Sequence, residues 1–139
     1  MPRLSAFDIS AMGLSAQRQR LDVLAENIAN VNTTRTPEGG PYRRKQVVFE
    51  TVLAGYGPGA GEPQGVLVSE VTTDPAPPRT VYEPGHPDAD ERGFVRLPNV
   101  NIVDEMVDLI SATRSYEANV TALNATKGML MKALEIGRR

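Results

Sequence analysis

Apolar residues at the two ends of the chain keep a seven-residue rhythm, and those in the middle do not. Near the start, Phe7, Leu14, Leu21 and Ile28 stand seven apart. Leu24 and Val31 follow the last two by three, as d follows a in a heptad. Ser10 and Gln17 hold the earlier d places, so this seam is imperfect. Ser5 with Asp8 fits a capping box and predicts a helix beginning near residue 5 or 6. Asn27, Asn30 and Asn32 crowd its far end, and Thr36-Pro37 stops it.

The rhythm at the other end is longer. Met106, Leu109, Thr113, Tyr116, Val120, Leu123, Lys127, Leu130 and Leu134 step alternately by three and four, with Thr113 and Lys127 as polar interruptions. Asn101 is placed to cap this helix, and Asp104 and Glu105 suit the positive end of its dipole. Gly137 is a natural C′ residue, and Arg138 and Arg139 suit the negative end.

Between the flanks the pattern changes to short runs with strand character, at residues 46–53, 65–71, 79–83 and 93–97, where Val66 and Val68 alternate with polar or smaller neighbours. Every proline except Pro2 lies between Pro37 and Pro98, and most glycines lie there too. Proline is excluded from helix interiors by its missing N–H and its clash with the preceding turn. The fold class expected is α+β, mainly α. Two long terminal helices pair as a coiled coil, with a small β-containing, Pro/Gly-rich segment between them. The divisions are 1–36, 37–98 and 99–139.

Length sharpens this picture. A chain of 139 residues suits one domain. A helix over residues 102–136 is about 50 Å long, whereas a globule of this size is about 35–40 Å across. The longer helix therefore outruns both the globule and its partner helix, and the rest of its apolar stripe points to neighbouring chains.

Composition removes several kinds of chemistry. There is no Cys, hence no disulfide, zinc-thiolate site or thiol catalysis, and a single His rules out a multi-histidine metal site. The net charge of −2 argues against a nucleic-acid binder. Aromatics make up only 5% of the chain, thin for a self-sufficient core. The sequence has no apolar run long enough to span a membrane and no Sec-type signal pattern in its first 30 residues.

The remaining candidate sites are weak. Gly55, Gly57, Gly59 and Gly61 lack the Lys-Ser/Thr of a phosphate loop and read as a flexible connection. Asp88 and Asp90 resemble the start of a calcium loop, but Arg92, a cation, falls at position 5, and Asn99 takes position 12 in place of a bidentate Glu. His86 has Asp88, Asp90 and Glu91 for company, without a nucleophile at a recognisable spacing. A small hydrolase or calcium module built on these residues is the weaker alternative, as is a free helical adaptor. Tyr42-Arg43-Arg44-Lys45 is the one basic cluster, better suited to a protein contact or a solvated strand edge than to nucleic acid. Asn27, Asn30, Asn32, Asn119 and Asn124 lie on or beside the helical seams. There, a buried amide fixes register by penalising other alignments.

Residues 11–34, AMGLSAQRQRLDVLAENIANVNTT, resemble the N-terminal signature of the bacterial flagellar axial proteins, the rod, hook and hook-associated proteins. Residues 39–45 with 47–49, 84–90, 98–103 and 105–124 narrow the resemblance to one proximal-rod subunit of that family, over nearly the whole chain, with another flagellar rod subunit as the nearest alternative. The resemblance implies a coiled-coil inner domain lining the core of the rod and a small β-containing outer part. It also implies export through the flagellar type III apparatus without a cleaved signal, and a place in the basal-body rod within the periplasmic space.

Its implied partners are copies of itself, other proximal and distal rod proteins, and basal-body ring and export-gate components. No nucleic acid, small-molecule substrate, cofactor, metal or catalytic residue is expected, nor a membrane span. The residues expected to carry helix packing and assembly are Leu14, Leu21, Leu24, Asn27, Ile28, Asn30, Val31, Asn32, Met106, Leu109, Tyr116, Asn119, Val120, Leu123, Leu130 and Leu134.

Overall fold

A computed structural model describes residues 5–53 and 61–138. The glycine-rich connection over residues 55–60 lies outside the described residues. The first helix, α1 (Ala6–Ala29), starts at the capping box: Ser5 Oγ accepts from the Asp8 amide, and the Asp8 carboxylate accepts from the Ser5 amide. It ends several residues before Thr36-Pro37. The Asn30 side chain donates to the Glu26 carbonyl at 2.9 Å, and the Thr33 hydroxyl donates to Asn30 Oδ1 at 3.1 Å, which turns the chain out of the helix. Val31, expected on the helical seam, therefore lies past the helix end.

Among the described residues four strands follow: β1 (Lys45–Leu53), β2 (Pro63–Thr73), β3 (Arg79–Tyr82) and β4 (Phe94–Leu97). They form two separate antiparallel ribbons, β1 with β2 and β3 with β4, close to the four runs expected from the sequence. The first ribbon slips register twice, between Val48 and Phe49 and between Val52 and Leu53. At the first slip the Ser69 hydroxyl donates to the Val48 carbonyl at 3.2 Å, so the bulge is stitched across the ribbon.

The second helix, α2 (Ile102–Gly137), is capped by Asn101, whose Oδ1 accepts from the Val103 amide at 3.1 Å. Its other end differs from expectation. Gly137 is the last helical residue and has no positive φ, and Arg138 takes the cap position with φ −88°.

Helix α1 lies between its two partners, packing against α2 and against both strands of the first ribbon. The two helices run antiparallel. Asn27 meets Glu105 near one end, Arg20 meets Asp108, and Gly13 meets Asn119 towards the other. Two glycines set the closeness of this layering. A Cβ on Gly13 would stand 3.0 Å from the Asn119 side chain, and one on Gly65 would stand 2.8 Å from Met12 Sδ. The second ribbon is tied to the segments that flank it, the Asp90 amide donating to the Phe94 carbonyl and Arg79 Nε to the Pro98 carbonyl, and Val95 within it and Pro98 and Val100 after it are buried. The fully enclosed core is small, and far more large apolar side chains are exposed than buried.

Candidate functional site

Two features stand out at opposite ends of the helix pair. The first is a buried polar cluster where α1, α2 and the entry to β1 meet. Asn27 is completely buried. Its Nδ2 donates to the Lys45 carbonyl at 2.9 Å and to Glu105 Oε2 at 3.0 Å. Its Oδ1 accepts from the Tyr42 hydroxyl and the Lys45 amide, both at 2.9 Å. Glu105 is also completely buried, and its second carboxylate oxygen pairs with Arg44 Nε. Arg44 reaches Asp74 at 3.6 Å and Asp108 at 3.9 Å, and Arg20 reaches Asp108 at 3.3 Å. Asn99 Oδ1 accepts from the Arg44 amide at 2.8 Å, while its Nδ2 donates to the Ala76 carbonyl at 3.1 Å.

The electrostatics agree with these bonds. Burial, helped by the charges of Glu26 and Glu105, pushes the Tyr42 phenol up to about 12, so it stays protonated and donates to Asn27. Burial alone would pull the Arg44 guanidinium down. The Glu105 hydrogen bond and the charges of Glu105, Asp74 and Asp108 outweigh it and raise the pKa of Arg44.

The second feature is the helical seam and the length of α2 that outruns it. On α1, Leu24 is buried and Leu14, Leu21 and Ile28 are half-buried. On α2 Glu105 and Ala112 are buried, and Asp108, Leu109, Ser115, Tyr116, Asn119, Val120, Leu123 and Thr126 are half-buried. This stripe shares Leu109, Tyr116, Val120 and Leu123 with the spacing read from the sequence. It replaces Met106, Thr113 and Lys127, which are exposed, by the residues one place earlier. Thr113 and Lys127 thus do not interrupt the seam, because they lie off it. Asn119, next to Gly13, and Val120 are both half-buried. Asn30 is half-buried at the helix end and Asn32 is exposed.

Beyond about residue 127, α2 has passed the described start of α1. Met129, Leu130, Met131, Leu134 and Ile136 are all exposed there, Ile136 at 77%. A further apolar face, of Val103, Met106, Val107 and Ile110, is exposed near the start of α2.

The sequence's weaker candidates are used up within turns. Asp88 accepts from the Thr34 hydroxyl at 2.7 Å and pairs with Arg35, and its own amide donates to His86 Nδ1 at 3.0 Å. The Thr34 hydrogen bond, reinforced by Arg35 and His86 against the opposing effect of burial, holds the Asp88 carboxyl below the usual carboxylate range. Asp90 Oδ1 accepts from the amides of Arg92 and Phe94 at 2.9 Å each. Among the described residues no group of three His, Cys, Asp or Glu could hold a metal ion. No helix among the described residues is long and apolar enough to cross a membrane.

The basic cluster also divides. Arg43 is exposed, whereas Arg44 and Lys45 bind Glu105 and Glu26 within the chain. Sequence reasoning missed Glu105, Tyr42, Arg44 and Asn99 as members of one site. The available signal was an acidic residue spaced as a seam position, one place before Met106.

Comparison with known proteins places these features in a class. The family described as "Flagella basal body rod protein" matches residues 7–35, across α1. The one described as "Flagellar basal body rod FlgEFG protein C-terminal" matches residues 91–136, across β4 and α2. Full-length relatives narrow the class. The chain is 50% identical to the flagellar basal-body rod protein FlgC of Yersinia enterocolitica, over 99% of this chain and 100% of that one. It is 49% identical to FlgC of Bacillus subtilis over 99% and 100%, and 46% identical to FlgC of Borreliella burgdorferi over 98% of each. The chain belongs to the FlgC family of flagellar basal-body rod proteins.

Proposed function

We propose that this chain is a structural subunit of the proximal part of the flagellar basal-body rod, and that it transmits motor torque through repeated non-covalent contacts. The observation that carries this reading is the similarity to FlgC proteins along nearly the whole chain. The exposed apolar length of α2 supports it, because such a stripe is stabilised by a neighbour's helix. In this reading residues 1–36 and 99–139 form a coiled-coil inner domain, and residues 37–98 form the outer part. Leu14, Leu21, Leu24, Ile28, Leu109, Tyr116, Val120 and Leu123 hold the pair together, and Asn27 and Asn119 set its register. Met106, Leu130 and Leu134 face neighbouring subunits.

The partners are copies of this chain and other rod proteins, next to ring and export-gate components. The subunit works in the periplasm after export without a cleaved signal, and it catalyses nothing. Each fully buried Leu or Ile contributes about 1.5–3 kcal/mol, so many weak contacts around a closed rod resist shear together.

Complementation of a strain lacking its own rod subunit tests the reading. The unaltered chain restores swimming and fractionates with basal bodies, and Leu123→Asp abolishes both. A stable soluble oligomer that never enters basal bodies would favour a free adaptor, and normal swimming by the variant would defeat the packing argument.

A further inference from the structure

The polar cluster fixes a direction. All four hydrogen-bonding positions of the Asn27 amide are filled, and two of those bonds go to the backbone of Lys45, the first residue of β1. The residue before it, Arg44, is held by its side chain to Glu105 of α2 and by its amide to Asn99. Side chains from both helices thus set the path by which the chain leaves the helix pair and enters the β part. Farther along α1 the ribbon is met by Met12 lying on Gly65, a contact without directionality. Among the described residues helix α2 packs on α1 and on none of the strands, so its grip on the β entry is Glu105, with Asp108 farther from Arg44 at 3.9 Å.

A buried ion pair is a poor way to gain stability. Desolvation offsets most of its attraction, and an uncharged replacement is often as stable. What such a pair supplies is geometry. We propose that Asn27, Glu105 and Arg44 are positioning residues for load transfer. They hold the β part at a fixed angle to the helix pair, so that torque applied to one is delivered to the other without slack. The inference rests on the reading of the chain as a rod subunit.

The test separates positioning from folding. The full chain carrying Arg44→Met with Glu105→Gln loses both charges but leaves Asn27 an acceptor. It is expressed in a strain lacking its own rod subunit, with the hook stiffened by cross-linking. Three quantities are read: the number of complete rods by electron microscopy, the angular fluctuation of a bead on a locked motor, and hydrogen exchange at Lys45 in purified basal bodies. The expected result is a normal number of rods, larger angular fluctuation, and exchange at Lys45 about tenfold faster, the effect of losing roughly one hydrogen bond.

Normal rods with unchanged fluctuation and exchange overturn the proposal. If the double variant builds no rods, Tyr42→Phe carries the test, since it removes one bond to Asn27 and leaves the charges in place. Faster exchange at Lys45 then supports the proposal, and unchanged exchange overturns it. If the unaltered chain builds no rods, the rod-subunit reading itself has failed.

Discussion

The two ends of the helix pair are built on opposite principles. At the end where α2 begins, Asn27 and Glu105 are completely enclosed, and their polar atoms find partners within the same chain. At the other end α2 runs past its partner, with Leu130, Leu134 and Ile136 exposed. The first end is satisfied by directional bonds to residues distant in sequence. The second has apolar area that none of the described residues covers. A subunit of this kind is finished at one end and incomplete at the other, and substitutions should act on different quantities at each.

The largest contrast sets Glu105→Ala against Leu134→Lys in the full chain. Glu105→Ala leaves Arg44 with only its longer contacts to Asp74 and Asp108, leaves one Asn27 donor unpaired and opens a cavity, and the expected loss is about 3 kcal/mol in thermal unfolding. Leu134→Lys changes an exposed residue and should move the unfolding of the free chain by less than about 0.5 kcal/mol, while still reducing incorporation into basal bodies. Equal losses of free-chain stability would erase the distinction between the ends.

A smaller effect sharpens it along the seam. Gly13→Val forces a side chain against Asn119 and should cost about 1–3 kcal/mol. Gly128→Ala enters open space and should gain up to about 1 kcal/mol of helix preference. Circular dichroism melts of the two variants give the sign of each.

The last contrast is a pH dependence confined to the closed end. The Tyr42 phenol rises from 10.0 to about 12 on folding. Its contribution is complete below pH 10 and is lost as the pH climbs towards 12, because the unfolded chain releases the proton first. Stability measured over that window should fall in the unaltered chain, and the fall should be shallower for Tyr42→Phe.

Local signals carried most of the architecture. The Ser5 and Asn101 caps and the four strand runs all depend on neighbours within a few residues, and each is legible in sequence. The end of α1 was harder, because Asn30 turns the chain several residues before proline forbids helix. The seam on α2 was half legible. Leu109, Tyr116 and Leu123 belong to both versions of the stripe, but apolarity favoured Met106 over Glu105. A buried glutamate is explained only by Arg44, 61 residues away, and by Asn27, 78 residues away. No local periodicity records such a partnership. Ala112 and Gly13 are on the seam for the room they leave, which a hydrophobicity pattern also does not weigh.

That separation in sequence has a further consequence, for the order in which the fold is acquired. The β1–β2 ribbon joins neighbouring segments and closes a short loop, and β3–β4 does the same. The bond between Asn27 and Glu105 must close a loop of most of the chain, and contacts of that span form slowly. The ribbons therefore form early and the helix junction late. The step that finishes the subunit is the one that draws its two distant flanks together.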